Sequence, residues 1–164
     1  MHSLKIRDIT RLAIVAALYV ALTLTPGISA LAFGAIQFRV SEVLMLMVFF
    51  NPKFSWSMII GCLISNIFSP ALGAADLIFG TLATAIACGL IVLIANKMSL
   101  IWLVSIICAV VNGLIVGAEL YFVSQLPFWA TAFSVFIGEL LVVLLGIVIF
   151  YFLMKNKNFA RIIK

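Results

Sequence analysis

Apolar runs closed by short breakers dominate the chain, and they divide it into six segments. The first covers about 9–24 and stops at Pro26-Gly27. The second, about 38–50, is ended by Asn51-Pro52-Lys53, and the third, about 54–68, by Ser69-Pro70. The fourth runs over about 74–95 to Asn96-Lys97. The fifth covers about 100–123, and the sixth about 128–154, opening after Pro127. Pro, Gly and Asn-Pro punctuation of this kind ends helices, so each run is predicted to be a helix. The second is short: at ~1.5 Å per residue it reaches only about 20 Å, less than a ~30 Å hydrocarbon layer. The mixed stretch 26–37 before it is too apolar for an exposed loop. It is expected to fill the membrane above that helix, with a further expectation that it moves as a lid.

Composition changes helices into membrane helices. Of 164 residues, 66% are hydrophobic and 9% charged, and the mean hydropathy is +1.37. A soluble fold of this size cannot hide so much apolar surface, so lipid is the solvent for most of it. The start of the chain has the look of a signal peptide, with Lys5, Arg7 and Arg11 before an apolar run and Ser29-Ala30-Leu31-Ala32 after it. We read it as the first membrane helix. The expectation is an all-α membrane protein: one bundle of six transmembrane helices spanning residues 1–164 as a single domain, multi-pass in the cell membrane.

Charge then orients the bundle. Lys5, Arg7, Arg11, Lys53, Lys97, Lys155, Lys157, Arg161 and Lys164 all fall at one set of helix ends, leaving Arg39 elsewhere. The positive-inside bias puts these ends, and so both termini, in the cytoplasm. The net charge of +5 is accounted for by topology, and no nucleic-acid partner is expected.

The acids carry the functional signal. Besides Asp8 there are Glu42, Asp76, Glu119 and Glu139, one on each of helices two, four, five and six. On this topology all four, with Arg39, lie in the outer half of the membrane. An ionisable group at a helix centre costs roughly 2.5–3.5 kcal/mol to insert, so such groups face a cavity or one another. Their structural alternative is internal pairing, Arg39 with Glu42 at i,i+3 and Asp76 as a helix-start acid favoured by the macrodipole. We lean towards Arg39 holding Glu42 rather than touching a ligand. Even so paired, four negative charges against one positive favour a cation or donor-rich guest. Asn66 and Asn112 add amides, the latter seven residues before Glu119 on one stripe. Phe128 and Phe136 follow near-helical spacing to Glu139. Each alone is as well explained by interhelical packing; together they suit a flat, polar heterocycle.

Other chemistry is missing. Cys62, Cys88 and Cys108 sit in apolar runs without a CxxC pair, and His2 is terminal, so no metal site is expected and the thiols read as small buried hydrophobes. There is no GxxxxGK[ST] loop, HExxH or nucleophile–base pair. No catalytic residue is assigned, and ATP hydrolysis, if used, belongs to other subunits. Ala13, Ala17 and Ala21 form a small-residue stripe at four-residue spacing on helix one, which permits close approach of another helix.

The stretches IQFRVSEVLMLM (36–47), GCLISNIFSPALGAADLIFGTLAT (61–84), NGLIVGAELYFVSQLPFW (112–129) and FIGELLV (136–142) resemble the QueT-type S components of energy-coupling factor (ECF) transporters. The resemblance implies a substrate-capturing membrane subunit that is not itself an enzyme. It joins a transmembrane coupling subunit and two ATPase subunits, which use ATP and magnesium. It also implies docking through Ala13, Ala17 and Ala21, and a 7-deazaguanine ligand such as 7-aminomethyl-7-deazaguanine, a queuosine precursor. The candidate binding residues are Arg39, Glu42, Asn66, Asp76, Asn112, Glu119, Phe128, Phe136 and Glu139. The alternatives are an S component for another vitamin, a stand-alone proton-coupled transporter of a cationic or purine-like solute, and an assembly factor whose acids only lock helices together.

Overall fold

The computed structural model describes residues 6–25, 38–69 and 73–163, and every regular element among them is helical. The stretch 26–37, which the sequence assigns as filler and lid, lies outside the described residues. Helix α1 is Ile6–Leu24. A 3-10 turn, Val40–Leu44, leads into the short α2, Met45–Phe50. Pro52–Phe54, again 3-10, opens α3, Ser55–Ile67. Then come α4 (Ala74–Ile94), α5 (Leu103–Ser124), α6 (Phe128–Leu153) and α7 (Lys157–Ile163).

Three helices, α4, α5 and α6, are long and apolar enough to cross a membrane, at 21, 22 and 26 residues. Helix α1 has the length but carries Arg7, Asp8 and Arg11 in its first turns, and α3 has only 13 residues.

The second predicted helix changes character. It does not run continuously over 38–50 but tightens into 3-10 geometry before Met45. All six residues of α2 are buried, as expected of a helix apolar all round. It packs against α3, α4, α5 and α6 as the centre of the bundle. The α7 helix, read from sequence only as a basic tail, docks through buried Ile163, whose carbonyl accepts from Asn51 Nδ2 at 3.0 Å.

The most extensive pairing joins α5 and α6. A Cβ on Gly117 would sit 2.8 Å from the Ala132 Cβ, closer than two carbons pack. Gly113 and Gly117, four apart, thus bring the backbones together, and the gain is van der Waals contact rather than hydrophobic drive.

One end of the bundle collects the basic residues. Lys53 Nζ pairs with Asp8 at 2.8 Å. The Asn96 N–H donates to the Phe49 carbonyl at 2.9 Å, and Asn51 holds Ile163. The start of α1, the α2–α3 and α4–α5 turns, and α7 therefore share this basic end. The opposite end holds the start of α4 and the α5–α6 turn.

Candidate functional site

Towards the end opposite the bases, five ionised side chains converge from five elements, and all are shut off from the surface. Glu42, Glu119 and Glu139 are 0% exposed, Asp76 1% and Arg39 2%. Arg39 precedes the 3-10 turn that carries Glu42; Asp76 opens α4, Glu119 lies in the last turns of α5, and Glu139 lies in the middle of α6.

Arg39 does not pair with Glu42. Its Nη2 faces Asp76 Oδ1 at 3.8 Å, while Glu42 Oε1 accepts from the Tyr19 hydroxyl at 2.6 Å. The i,i+3 expectation fails because Arg39 stands outside the helix, at φ −82°, ψ 88°. Its side chain leaves in a different direction from the turn that presents Glu42. That spacing rule applies only within one continuous helix.

Each acid has its own degree of freedom. Asp76 is held on one oxygen by the Ser69 hydroxyl and faced on the other by Arg39. Glu42 has Oε1 bound by Tyr19 and Oε2 without a protein partner. Glu119 and Glu139 have both carboxylate oxygens unpartnered and buried. The charged neighbour acting most strongly on Glu119 is Asp76, and on Glu139 it is Glu42. The acids thus form two pairs, Asp76 with Glu119 and Glu42 with Glu139, with Arg39 ion-paired to the first.

The amides play unequal parts. Asn66 Nδ2 donates to the Asp76 carbonyl at 2.9 Å, tying α3 to the start of α4 beside the guanidinium. Asn112 Nδ2 donates within its own helix to the Cys108 carbonyl at 3.1 Å, and its Oδ1 is buried without a partner. The aromatic pair stacks on other rings. Phe128 meets Trp129 edge to face at 4.9 Å, and Phe136 lies parallel to Phe133 at 6.5 Å. Phe136 also lines an apolar groove of about 360 Å³ with Val110, Gly113, Trp129 and Ala132.

Several site residues were not picked out from sequence. Tyr19 and Thr23 are one turn apart on the buried face of α1. Thr23 Oγ1 donates to the Tyr19 carbonyl at 2.9 Å and lies 2.7 Å from Ser41 Oγ. The signal was there: two hydroxyl-bearing residues at i,i+4 in an otherwise apolar helix. Gly80 had no such signal. A Cβ there would lie 2.7 Å from Asn66 Nδ2 and 3.3 Å from both terminal nitrogens of Arg39, so the guanidinium lies over a bare backbone.

Ala13, Ala17 and Ala21 are exposed along the outward side of α1. Beside them Ile9, Leu12, Ala13, Ala16, Trp56 and Ile60 line an apolar groove of about 380 Å³ between α1 and α3. The three cysteines are free and buried, and among the described residues no group of His, Cys, Asp and Glu could hold a metal ion.

Comparison with known proteins gives two findings. Residues 9–155 match the family described as QueT transporter. The queuosine precursor transporter QueT of Lactococcus lactis subsp. cremoris (strain MG1363) is 36% identical over 171 aligned positions, covering 98% of this chain and 100% of the relative. No solved structure gives a significant match.

Proposed function

The chain belongs to the QueT transporter family, and from that membership we propose that it is the substrate-binding S component of an ECF importer for a queuosine precursor such as 7-aminomethyl-7-deazaguanine. It is a multi-pass protein of the cell membrane in a family of transporters. In this reading residues 1–164 form one domain that crosses the bilayer six times, with both termini cytoplasmic. The basic end supports that orientation, since it gathers Arg7, Arg11, Lys53, Lys97, Lys155, Lys157 and Arg161.

The observation that carries the ligand class is the buried acid cluster. Four carboxylates face one guanidinium at 0–2% exposure, and five of the eight carboxylate oxygens there lack both a hydrogen bond and an ion pair, counting Glu42 Oε2 and both oxygens of Glu119 and Glu139. Removing a charge from water without a partner is expensive. A ligand rich in N–H donors and carrying a positive charge supplies those partners. A guanine-type edge offers adjacent N–H donors that fit a forked carboxylate, and an aminomethyl ammonium fits a second one. Arg39, Glu42, Asn66, Asp76, Asn112, Glu119, Phe128, Phe136 and Glu139 remain the proposed binding set, to which Tyr19 and Gly80 are added.

Docking on the coupling subunit takes the exposed alanine stripe, and ATP with magnesium is used by the two ATPase subunits rather than here. The full chain in nanodiscs is expected to bind 7-aminomethyl-7-deazaguanine by calorimetry. Uptake into vesicles is expected to require the coupling and ATPase subunits. Ala17→Leu spares binding but abolishes co-purification with those subunits, because a larger side chain holds the helices apart. Absence of heat with any 7-deazaguanine or guanine sinks the ligand assignment. Uptake by the chain alone under a pH gradient would replace the importer reading with proton-coupled transport.

A further inference from the structure

We propose that Tyr19 is a positioning residue that sets the specificity of the site for a cationic substrate, by holding Glu42 beside Glu139 as the pole that takes the positive charge. The inference rests on the substrate-binding reading above and goes further, assigning different carboxylates to different parts of the ligand.

The two acid pairs differ in net charge and in geometry. Asp76 and Glu119 share their surroundings with Arg39, 3.8 Å from Asp76, so that pole sums to minus one. Within it Asp76 is held by Ser69 and Arg39, and the carboxylate left free on both oxygens is Glu119. One forked, unengaged carboxylate matches two adjacent N–H donors on the edge of a planar ring. The Glu42–Glu139 pole has no described Lys or Arg nitrogen within ion-pairing distance, so it sums to minus two. Its available acceptors are Glu42 Oε2 and both oxygens of Glu139. An ammonium carries three donors that diverge, and separate acceptors from two side chains suit it better than a single fork. The charge belongs where the arginine is not.

Tyr19 makes that pole usable. Two carboxylates placed together repel unless something fixes them. The 2.6 Å bond from the Tyr19 hydroxyl falls in the range of charge-assisted O–H···O⁻ bonds. It occupies Oε1 and leaves Oε2 as a single acceptor. The tyrosine is fully buried, and the next turn of α1 adds the contact of Thr23 with Ser41, the residue before Glu42. Two turns of α1 therefore grip the segment that presents Glu42. The hydroxyl acts through Glu42 and need not touch the ligand.

Tyr19→Phe keeps the ring and deletes only the donor. Binding of 7-aminomethyl-7-deazaguanine and of its uncharged congener, with a nitrile in place of the aminomethyl group, is measured by calorimetry on the full chain in nanodiscs. The variant should lose about ten-fold or more in affinity for the amine, the scale of one hydrogen bond to a charged group. Affinity for the nitrile should stay within about two-fold. Glu119→Gln should instead weaken both compounds, because it reads the shared ring edge. Equal losses for both compounds in Tyr19→Phe, or no loss for either, overturn the assignment. Wild-type protein that binds neither compound refutes the substrate reading itself, a separate result from the loss of selectivity.

Discussion

The two ends of this bundle are built on opposite terms. At the basic end the interior is hydrocarbon: α2 buries Met45, Leu46, Met47, Val48, Phe49 and Phe50 against Phe54, Met58, Ile91, Val104 and Phe150. Phe50 stacks on Phe150 at 6.1 Å, and exposed charges such as Lys53 and Asp8 meet at the surface. At the other end the interior is charge, with Arg39, Glu42, Asp76, Glu119 and Glu139 as deeply buried as the phenylalanines. The first end satisfies its own groups. The second is incomplete without a guest, which marks it as the working half. In lipid the contrast is sharper than in water, because helices gain little by hiding apolar surface and unpartnered polar atoms have no solvent to meet them.

The largest effect that tests this division lies in the apolar half. Phe49 is 0% exposed, and Phe49→Ala should cost about 3–5 kcal/mol through the cavity it leaves. A denaturant titration reads that cost, while ligand affinity of the folded fraction stays unchanged. A ten-fold drop in affinity there would join the two halves into one unit and end the comparison.

A smaller effect of opposite sign is expected in the charged half. Glu139→Gln removes a buried charge whose two oxygens lack protein partners. The ligand-free protein should gain on the order of 1–2 kcal/mol, less than the full insertion cost of a charge because the amide is still polar. The melting temperature should rise without ligand, and the shift induced by a cationic 7-deazaguanine should shrink. Ligand-free protein that melts earlier would mean that Glu139 is structurally engaged after all.

The smallest effect sharpens the boundary of the site. Gly80→Ala places a Cβ 2.7 Å from Asn66 Nδ2 and 3.3 Å from the Arg39 guanidinium. Stability should change by about 1 kcal/mol or less, since the helix-propensity gain of alanine offsets the crowding. Affinity should still fall several-fold as the guanidinium shifts relative to Asp76. Isothermal titration beside a melting curve separates the two responses, and unchanged affinity would remove Gly80 from the site.

Much of this was legible along the chain, because the signals are local. Breakers such as Asn51-Pro52 and Pro127 mark helix ends by backbone geometry alone, and α4, α5 and α6 fall within a residue or two of their apolar runs. Rare charges in an apolar chain announce themselves, so Arg39, Glu42, Asp76, Glu119 and Glu139 were all found. The α7 helix was not, because seven residues at a basic terminus carry too short a period to read. Gly113 and Gly117 passed unnoticed as an interface because only the facing Ala132 gives their spacing meaning.

What the sequence alone determined is therefore the membrane class, the helix order and the small set of ionisable residues that lipid makes improbable. Partnership was decided only in three dimensions. Spacing offers Glu42 to Arg39, yet the chain gives Arg39 to Asp76, 37 positions later, and Glu42 to Tyr19, 23 positions earlier. The physical reason is that a buried charge takes whichever partner the packed helices bring to its tip. Helix α1 against the 3-10 turn and α3 against α4 fix those meetings, and no pattern along one strand of sequence records them.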